Sequence, residues 1–262
     1  MIEGVIIATV LIGCVGLFVG VFLGIAGIKF AVEVDPREEE ILGVLPGNNC
    51  GGCGYAGCSG LAAAIVKGEA AVNACPVGGD PVGEKVASIM GVEAEAGERR
   101  VAFVKCQGDC DKAKSDYDYS GVKDCSMMAF VPAGGPKTCN YGCLGHGNCV
   151  KACPFDAIHV VNGVAVVDAD SYKACGKCVA ACPKNLIELI PASASVKVNC
   201  SSRDKGPVVM KACQTGCIGC GICKKNCPAD AIEVTDFLAK IDYSKCTGCG
   251  TCKEKCPKKA IV

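Results

Sequence analysis

Two runs of cysteine near the end of this 262-residue chain carry its clearest chemistry. The first is Cys217-x2-Cys220-x2-Cys223-x3-Cys227-Pro228, and the second is Cys246-x2-Cys249-x2-Cys252-x3-Cys256-Pro257. Three closely spaced thiolates wrap one face of an iron–sulfur cubane, and a fourth must arrive from a distant part of the chain to close the site. In such double runs the fourth cysteine of each ligates the other run's cluster. The spacing therefore assigns Cys217, Cys220, Cys223 and Cys256 to one [4Fe–4S] cluster, and Cys246, Cys249, Cys252 and Cys227 to another. The proline after each fourth cysteine ends the local turn and fixes its own φ. A zinc ribbon would show two separated CxxC pairs instead.

An upstream group adds a third site. The stretch Pro46-Gly47-Asn48-Asn49-Cys50-Gly51-Gly52-Cys53-Gly54-Tyr55-Ala56-Gly57-Cys58 is followed by Cys75-Pro76. Its glycines permit the positive-φ turns that fold a backbone tightly around a metal centre. With none spare, Cys50, Cys53, Cys58 and Cys75 are expected to hold a further [4Fe–4S] cluster, a structural zinc site being the alternative.

The middle of the chain repeats its end. A shift of 74 residues carries Cys139 onto Cys213, Cys143 onto Cys217, Cys149 onto Cys223, and Cys153-Pro154 onto Cys227-Pro228. It also carries Cys175, Cys178 and Cys182-Pro183 onto Cys249, Cys252 and Cys256-Pro257. Residues 139–190 are thus expected to form a second, degenerate ferredoxin-like module, one that has lost clusters or drawn replacement cysteines from elsewhere, with short strands at Ile158–Val161 and Val164–Val167. Two ligand positions break the repeat: His146 stands where Cys220 stands, and Tyr172 where Cys246 stands. His146 reads as a bystander on a glycine-rich loop, and Tyr172 as packing. Twelve cysteines remain for this region once Cys14 and the three sites above are set aside, enough for three more cubanes. Cys139, Cys143, Cys149 and Cys182 are expected on one. Cys153, Cys175 and Cys178 are expected on the next, with a thiol borrowed from Cys106, Cys110, Cys125, Cys200 or Cys213; the four left over make the last. Val104-Lys105-Cys106 and Val198-Asn199-Cys200 both read as strand ends able to deliver thiols to a common place. The expected total is six [4Fe–4S] clusters, and at least three.

Such ligands need short, turn-rich scaffolding rather than a large core. Aromatics are only 5% of the chain and tryptophan is absent, whereas cysteine occurs 25 times. In a secreted chain that density would mean disulfides; grouped as CxxC, it favours metal ligation in a reducing compartment. Lys+Arg and Asp+Glu balance at 27 each, which argues against nucleic acid. Residues 5–28 carry no charge and, as a helix, are long enough to cross a bilayer. Preceded by Met1-Ile2-Glu3 rather than a basic stretch, they read as an uncleaved anchor. Lys29 and Arg37 follow, which places the cluster-bearing part on the cytoplasmic side. Gly16, Gly20 and Gly24 offer a face for another helix, and Cys14 reads as a small apolar residue. The acidic stretch Glu33, Asp35, Glu38, Glu39 and Glu40 reads as a linker or short helix. Further short helices are expected over 59–68 and 81–90, with a polar linker over 91–100. The expected fold class is α+β: a single transmembrane helix (1–30), a small, mostly helical cluster domain with linker (31–100), a cysteine-rich middle (101–200) and a two-cluster module (201–262).

The N-terminal span, the Asn49-to-Cys58 loop with Cys75-Pro76, and the C-terminal double run together resemble the B subunit of Rnf complexes, the ion-translocating ferredoxin:NAD⁺ oxidoreductases. The resemblance covers nearly the whole chain. It implies a protein that accepts electrons from reduced ferredoxin and relays them to the flavin and NAD-binding subunits of an assembly pumping Na⁺ or H⁺. Shorter members have the first domain and one ferredoxin module, so the cysteine-rich middle resembles the longer, anaerobe-type members. The residues alone give the same outline. With no nucleotide-binding signature or catalytic triad, an anchored array of clusters is an electron wire. The protein tunes each potential through hydrogen bonds to sulfur, charge and solvent exposure. No complete catalytic activity is expected of this chain by itself. Lys253, Lys255, Lys258 and Lys259 read as a solvated face or as a patch that steers an acidic ferredoxin. The alternative functions are a polyferredoxin subunit of a hydrogenase- or formate-dehydrogenase-type complex, and a non-redox protein with structural metal.

Overall fold

The computed structural model describes residues 2–29, 35–94 and 97–262. Its first element, α1 (Ile2–Lys29), is one continuous helix with no charge between Glu3 and Lys29. Val10–Lys29 within it is long and apolar enough to cross a membrane. Leu17, Phe18 and Leu23 stand exposed on it, a surface whose contact with water costs roughly 25 cal/mol per Å². Glu33 of the acidic stretch lies outside the described residues.

A helical domain follows. The Asp35 carboxylate accepts the Arg37 N–H at 2.9 Å and caps α2 (Pro36–Val44), where Pro36 occupies a first-turn position that needs no donor. The Arg37 side chain holds that carboxyl down at about 2. α2 packs with α3 (Cys58–Val66) and α4 (Gly79–Met90) around Ile41, Leu61, Ile65 and Val86. The helices expected over 59–68 and 81–90 are thus present, each starting slightly earlier. The expected linker is shorter than 91–100: Arg100 already opens β1 (Arg100–Val104), and residues 95 and 96 lie outside the described set.

Two copies of one design make up the rest, and the mixed helix and strand content is α+β. In the first copy α5 (Asn148–Lys151), the hairpin β2 (Ile158–Val161) and β3 (Val164–Val167), and α6 (Lys177–Ala181) lie between β1 and its antiparallel partner β4 (Ile187–Pro191). After α7 (Gly206–Ala212), the second copy has α8 (Ile222–Lys225), the hairpin β5 (Ile232–Thr235) and β6 (Leu238–Ile241), and α9 (Thr251–Glu254). Its bracketing pair shrinks to a bridge between Val198 and Ile261, reinforced by 2.9 Å bonds in both directions between Lys197 and Val262. Val104 pairs with Ile187 as Val198 pairs with Ile261. The repeat therefore extends to the strands in front of each module. Cys139 lies thirty-three positions after Cys106, but Cys213 only thirteen after Cys200, so the first copy carries a twenty-residue insertion. That insertion includes Cys125 and two 3-10 turns, Met127–Phe130 and Pro132–Gly134. Each copy has its own small core, with Ala157, Ile158, Val164 and Ala165 in one and Ile232, Leu238 and Ala239 in the other.

Candidate metal centres

The Cys-Pro turns show how the chain shapes itself around a sulfur. Two residues after the proline in the four Cys-Pro turns of the modules the backbone enters the left-handed region: Asp156 at φ 50°, Asn185 at 51°, Asp230 at 45° and Lys259 at 49°. These are uncommon conformations for residues with a Cβ. At three of the turns the bend returns an amide to the cysteine it started from. Leu186 N–H donates to Cys182 Sγ at 3.4 Å, Ala231 to Cys227 at 3.4 Å, and Ala260 to Cys256 at 3.3 Å. Such bonds favour the thiolate form that binds iron.

The C-terminal sites have the composition expected from the double run. Cys217, Cys220, Cys223 and Cys256 line one cavity, and Cys227, Cys246, Cys249 and Cys252 line another. In the helical domain Cys53 and Cys58 lie within electrostatic reach of Cys75, whose Sγ accepts the Gly78 N–H at 3.4 Å. The loop carrying Cys50 and Cys53 is closed by Asn49, whose Oδ1 accepts the Cys58 N–H at 2.8 Å.

The middle sites differ from expectation. A third cavity is lined by Cys125, Cys143, Cys149 and Cys182, so Cys125 and not Cys139 completes this set. Asn148, the first residue of α5, explains the exchange. Its Oδ1 accepts the Cys125 N–H at 2.9 Å, and its Nδ2 donates to the Asp124 carboxylate at 3.1 Å. The insertion thus brings a thiol to the set that lost one where His146 stands. His146 is not among the lining residues; its ring lies 6.1 Å from Tyr119, and its Nε2 is buried without a hydrogen-bond partner.

Cys139 joins Cys106, Cys200 and Cys213 around a fourth cavity, to which each module supplies two thiols. The same amide bond recurs in each copy. Cys106 Sγ accepts the Cys143 N–H at 3.3 Å, and Cys200 Sγ accepts the Cys217 N–H at 3.2 Å. Ser201 Oγ also donates to Lys105 O at 2.9 Å, so the two strand ends do meet. Sequence reasoning separated Cys139 from Cys213; the available signal was that each stands four residues before the first cysteine of its run. Of the remaining thiols, Cys153, Cys175 and Cys178 lie within reach of one another and of Tyr172. The fourth cysteine expected with them is not brought there among the described residues. Cys106, Cys125, Cys200 and Cys213 line other cavities. Cys110 is exposed, with its N–H donated to Asn162 O at 3.0 Å, and Cys14 is exposed on α1.

Where four cysteines gather, the residues fit a [4Fe–4S] cluster. Glycine, alanine and aliphatic side chains make up much of the remaining walls. Among the described residues no three His, Cys, Asp or Glu side chains converge as they would on a single ion. Burial pushes the thiols of Cys149, Cys200 and Cys223 up to about 11, and those of Cys75, Cys106, Cys139, Cys143 and Cys252 upward too. Burial in a medium of low polarity penalises the anion, so iron binding at these thiols would be coupled to release of protons.

Lys137 couples two of these sites. It is 8% exposed, and its Nζ donates to Gly108 O at 2.7 Å and Gly163 O at 3.0 Å. Its charge acts on both Cys106 and Cys143. Lys137→Met is expected to strand two carbonyls, at about 1–3 kcal/mol each. It should also move the reduction potentials of the clusters at these thiols in the negative direction, because a cation favours the more negative, reduced form. A redox titration followed by EPR measures that shift.

Three family models match the chain: a putative Fe-S cluster model over residues 45–77, a 4Fe-4S binding domain over 143–157 and a 4Fe-4S dicluster domain over 216–261. The chain is 46% identical over 246 residues to the B subunit of the Na(+)-translocating ferredoxin:NAD(+) oxidoreductase complex of Acetobacterium woodii, spanning 94% of this chain and 74% of that one. It is 46% identical over 231 residues to the B subunit of the ion-translocating oxidoreductase complex of Methanosarcina acetivorans, spanning 88% and 87%. It is also 46% identical over 242 residues to the B subunit of the proton-translocating ferredoxin:NAD(+) oxidoreductase complex of Clostridium ljungdahlii, spanning 92% and 85%.

Proposed function

Because the chain belongs to the family of B subunits of ion-translocating ferredoxin:NAD⁺ oxidoreductase (Rnf) complexes, we propose that reduced ferredoxin delivers electrons to its C-terminal module. It is an iron–sulfur electron-transfer subunit that works at the membrane with the other subunits of its complex. When bound, each [4Fe–4S] cluster takes up and releases one electron at a time; the chain sets the order and spacing of the stops.

The observation that carries this reading is the continuity of the cysteine sets. Cys200 of the shared site accepts an amide bond from Cys217, and Cys106 of the same site accepts one from Cys143. One four-thiol site thus joins the C-terminal and middle modules. From there the path runs to Cys175, against which the Gly52 backbone of the N-terminal domain is packed. That domain leads back to α1, the proposed anchor, and Lys29 and Arg37 behind the span orient the cluster-bearing part toward the cytoplasm. Within α1 no acidic or basic side chain lies between Glu3 and Lys29, so ion movement falls to partner subunits.

Electrons enter where the thiols are least covered. Cys220 and Cys249 are exposed, and so are Lys224, Lys225, Lys253, Lys255 and Lys259 around them. A cationic surface beside exposed cluster sites steers an acidic donor, with rate gains of about 10 to 1,000-fold at low salt. Stopped-flow reduction of the full-length chain by reduced ferredoxin tests this. The second-order rate should fall by about tenfold or more as ionic strength rises. Lys253→Glu with Lys255→Glu should lower it at low salt without loss of iron. A rate indifferent to both salt and charge reversal would remove ferredoxin docking at this surface.

A further inference from the structure

The second site of the middle module has three thiols where its counterpart has four. Cys153, Cys175 and Cys178 lie within electrostatic reach of Tyr172, and they correspond to Cys227, Cys249 and Cys252. The counterpart's remaining ligand, Cys246, corresponds to Tyr172. Tyr172 is 4% exposed, and its Oη lies 3.3 Å from Cys178 Sγ. A thiolate bound to iron has no proton to give, so in the loaded protein the phenol is the donor of that bond. The side chain is therefore committed to a sulfur.

Among the described residues the five spare thiols are placed elsewhere. Four of the five cysteines that sequence reasoning offered line other cavities. The fifth, Cys110, sits at the tip of the β2–β3 hairpin, where a Cβ on Gly163 would come within 2.7 Å of its Sγ. The base of that hairpin is the end next to Cys153, where Asp168 N–H donates to Ala157 O at 2.9 Å. Base and tip are roughly 10 Å apart at about 3.3 Å per residue. Three thiolates leave one corner of a cubane without a cysteine, and Tyr172, already bound to Cys178, stands where the counterpart supplies that ligand.

We propose that Cys153, Cys175 and Cys178 hold a three-iron [3Fe–4S] cluster, one thiolate per iron, with Tyr172 covering the open corner as a hydrogen-bond donor. The inference rests on the cluster-carrying role above and not on the identity of the electron donor. It makes the stop beside Gly52, between the N-terminal domain and the modules, chemically unlike the others.

Mössbauer and EPR spectra of the anaerobically purified full-length chain test it. Without added reductant, the near-isotropic EPR signal of an oxidised three-iron cluster should integrate to about one spin per chain. Tyr172→Cys, which restores the counterpart's ligand, should abolish that signal and add one iron per chain. Tyr172→Phe should keep both signal and iron content. Spectra showing only four-iron clusters in the wild-type chain would overturn the inference, whether or not either variant folds. So would a signal that survives in folded Tyr172→Cys, or iron lost in Tyr172→Phe. A wild-type chain with four-iron clusters alone leaves the electron-transfer reading standing; a chain without iron and sulfide removes both.

Discussion

Cys200→Ser is expected to lower iron and acid-labile sulfide by up to one whole cluster per chain and to interrupt electron flow between the two modules. Cys200 is one of four thiols in the cavity to which Cys106 and Cys139 come from one copy and Cys200 and Cys213 from the other. The effect is therefore larger than the loss of one ligand in a terminal site. A cluster there would bridge segments otherwise held by contacts such as Ser201 to Lys105 and Gln107 Nε2 to Lys259 O at 2.6 Å. Because metal binding is coupled to folding, its loss should also lower the unfolding temperature of the joined modules. Cys106→Ser should behave alike, since its Sγ accepts the equivalent amide bond. Cys110→Ser is the control: that thiol is exposed and lines none of the four cavities, so iron content should not change. Unchanged iron and sulfide in both Cys106→Ser and Cys200→Ser would refute the shared site.

Gly52→Ala is expected to uncouple the N-terminal domain while leaving its own thiols in place. A Cβ at this position would lie 2.9 Å from both Cα and O of Cys175. Those are backbone atoms, which cannot swing aside as the end of a long side chain does. Overpacking of this kind costs about 1–3 kcal/mol. At 1.4 kcal/mol per factor of ten, the docked population should fall by about fivefold to a hundredfold where docking is marginal. Electron transfer from the modules to the N-terminal cluster should slow correspondingly, with iron content maintained. Stopped-flow spectroscopy of the reduced chain reads the rate, and limited proteolysis around residues 91–100 reads the undocking. Wild-type rates in Gly52→Ala would show that the path does not pass between Gly52 and Cys175.

Much of this molecule is legible in local spacing. The 2-2-3 cysteine run with proline forces a turn whose sulfur is served by an amide four residues on, as at Cys227 and Ala231. Hydrophobic pattern and turn residues likewise place the β2–β3 hairpin at the bounds expected for it. The 74-residue repeat carries the design from the end of the chain to its middle by alignment alone. These features follow from sequence because neighbours along the chain satisfy one another's bonds.

Where the repeat breaks, the sequence determined only that ligands were missing, at His146 and Tyr172, and that spare cysteines existed. The tertiary structure decided which spare went where. Cys125 reaches Cys149 because Asn148 holds it through an amide bond. Cys139 turns to Cys213 because the strand ends of the two modules meet, as Ser201 does Lys105. At Tyr172 a phenol bonded to Cys178 takes the position of the counterpart's cysteine. The reason is physical: a thiol's partners across tens of residues are chosen by which segments pack together, and packing is a property of the whole fold rather than of any stretch of chain.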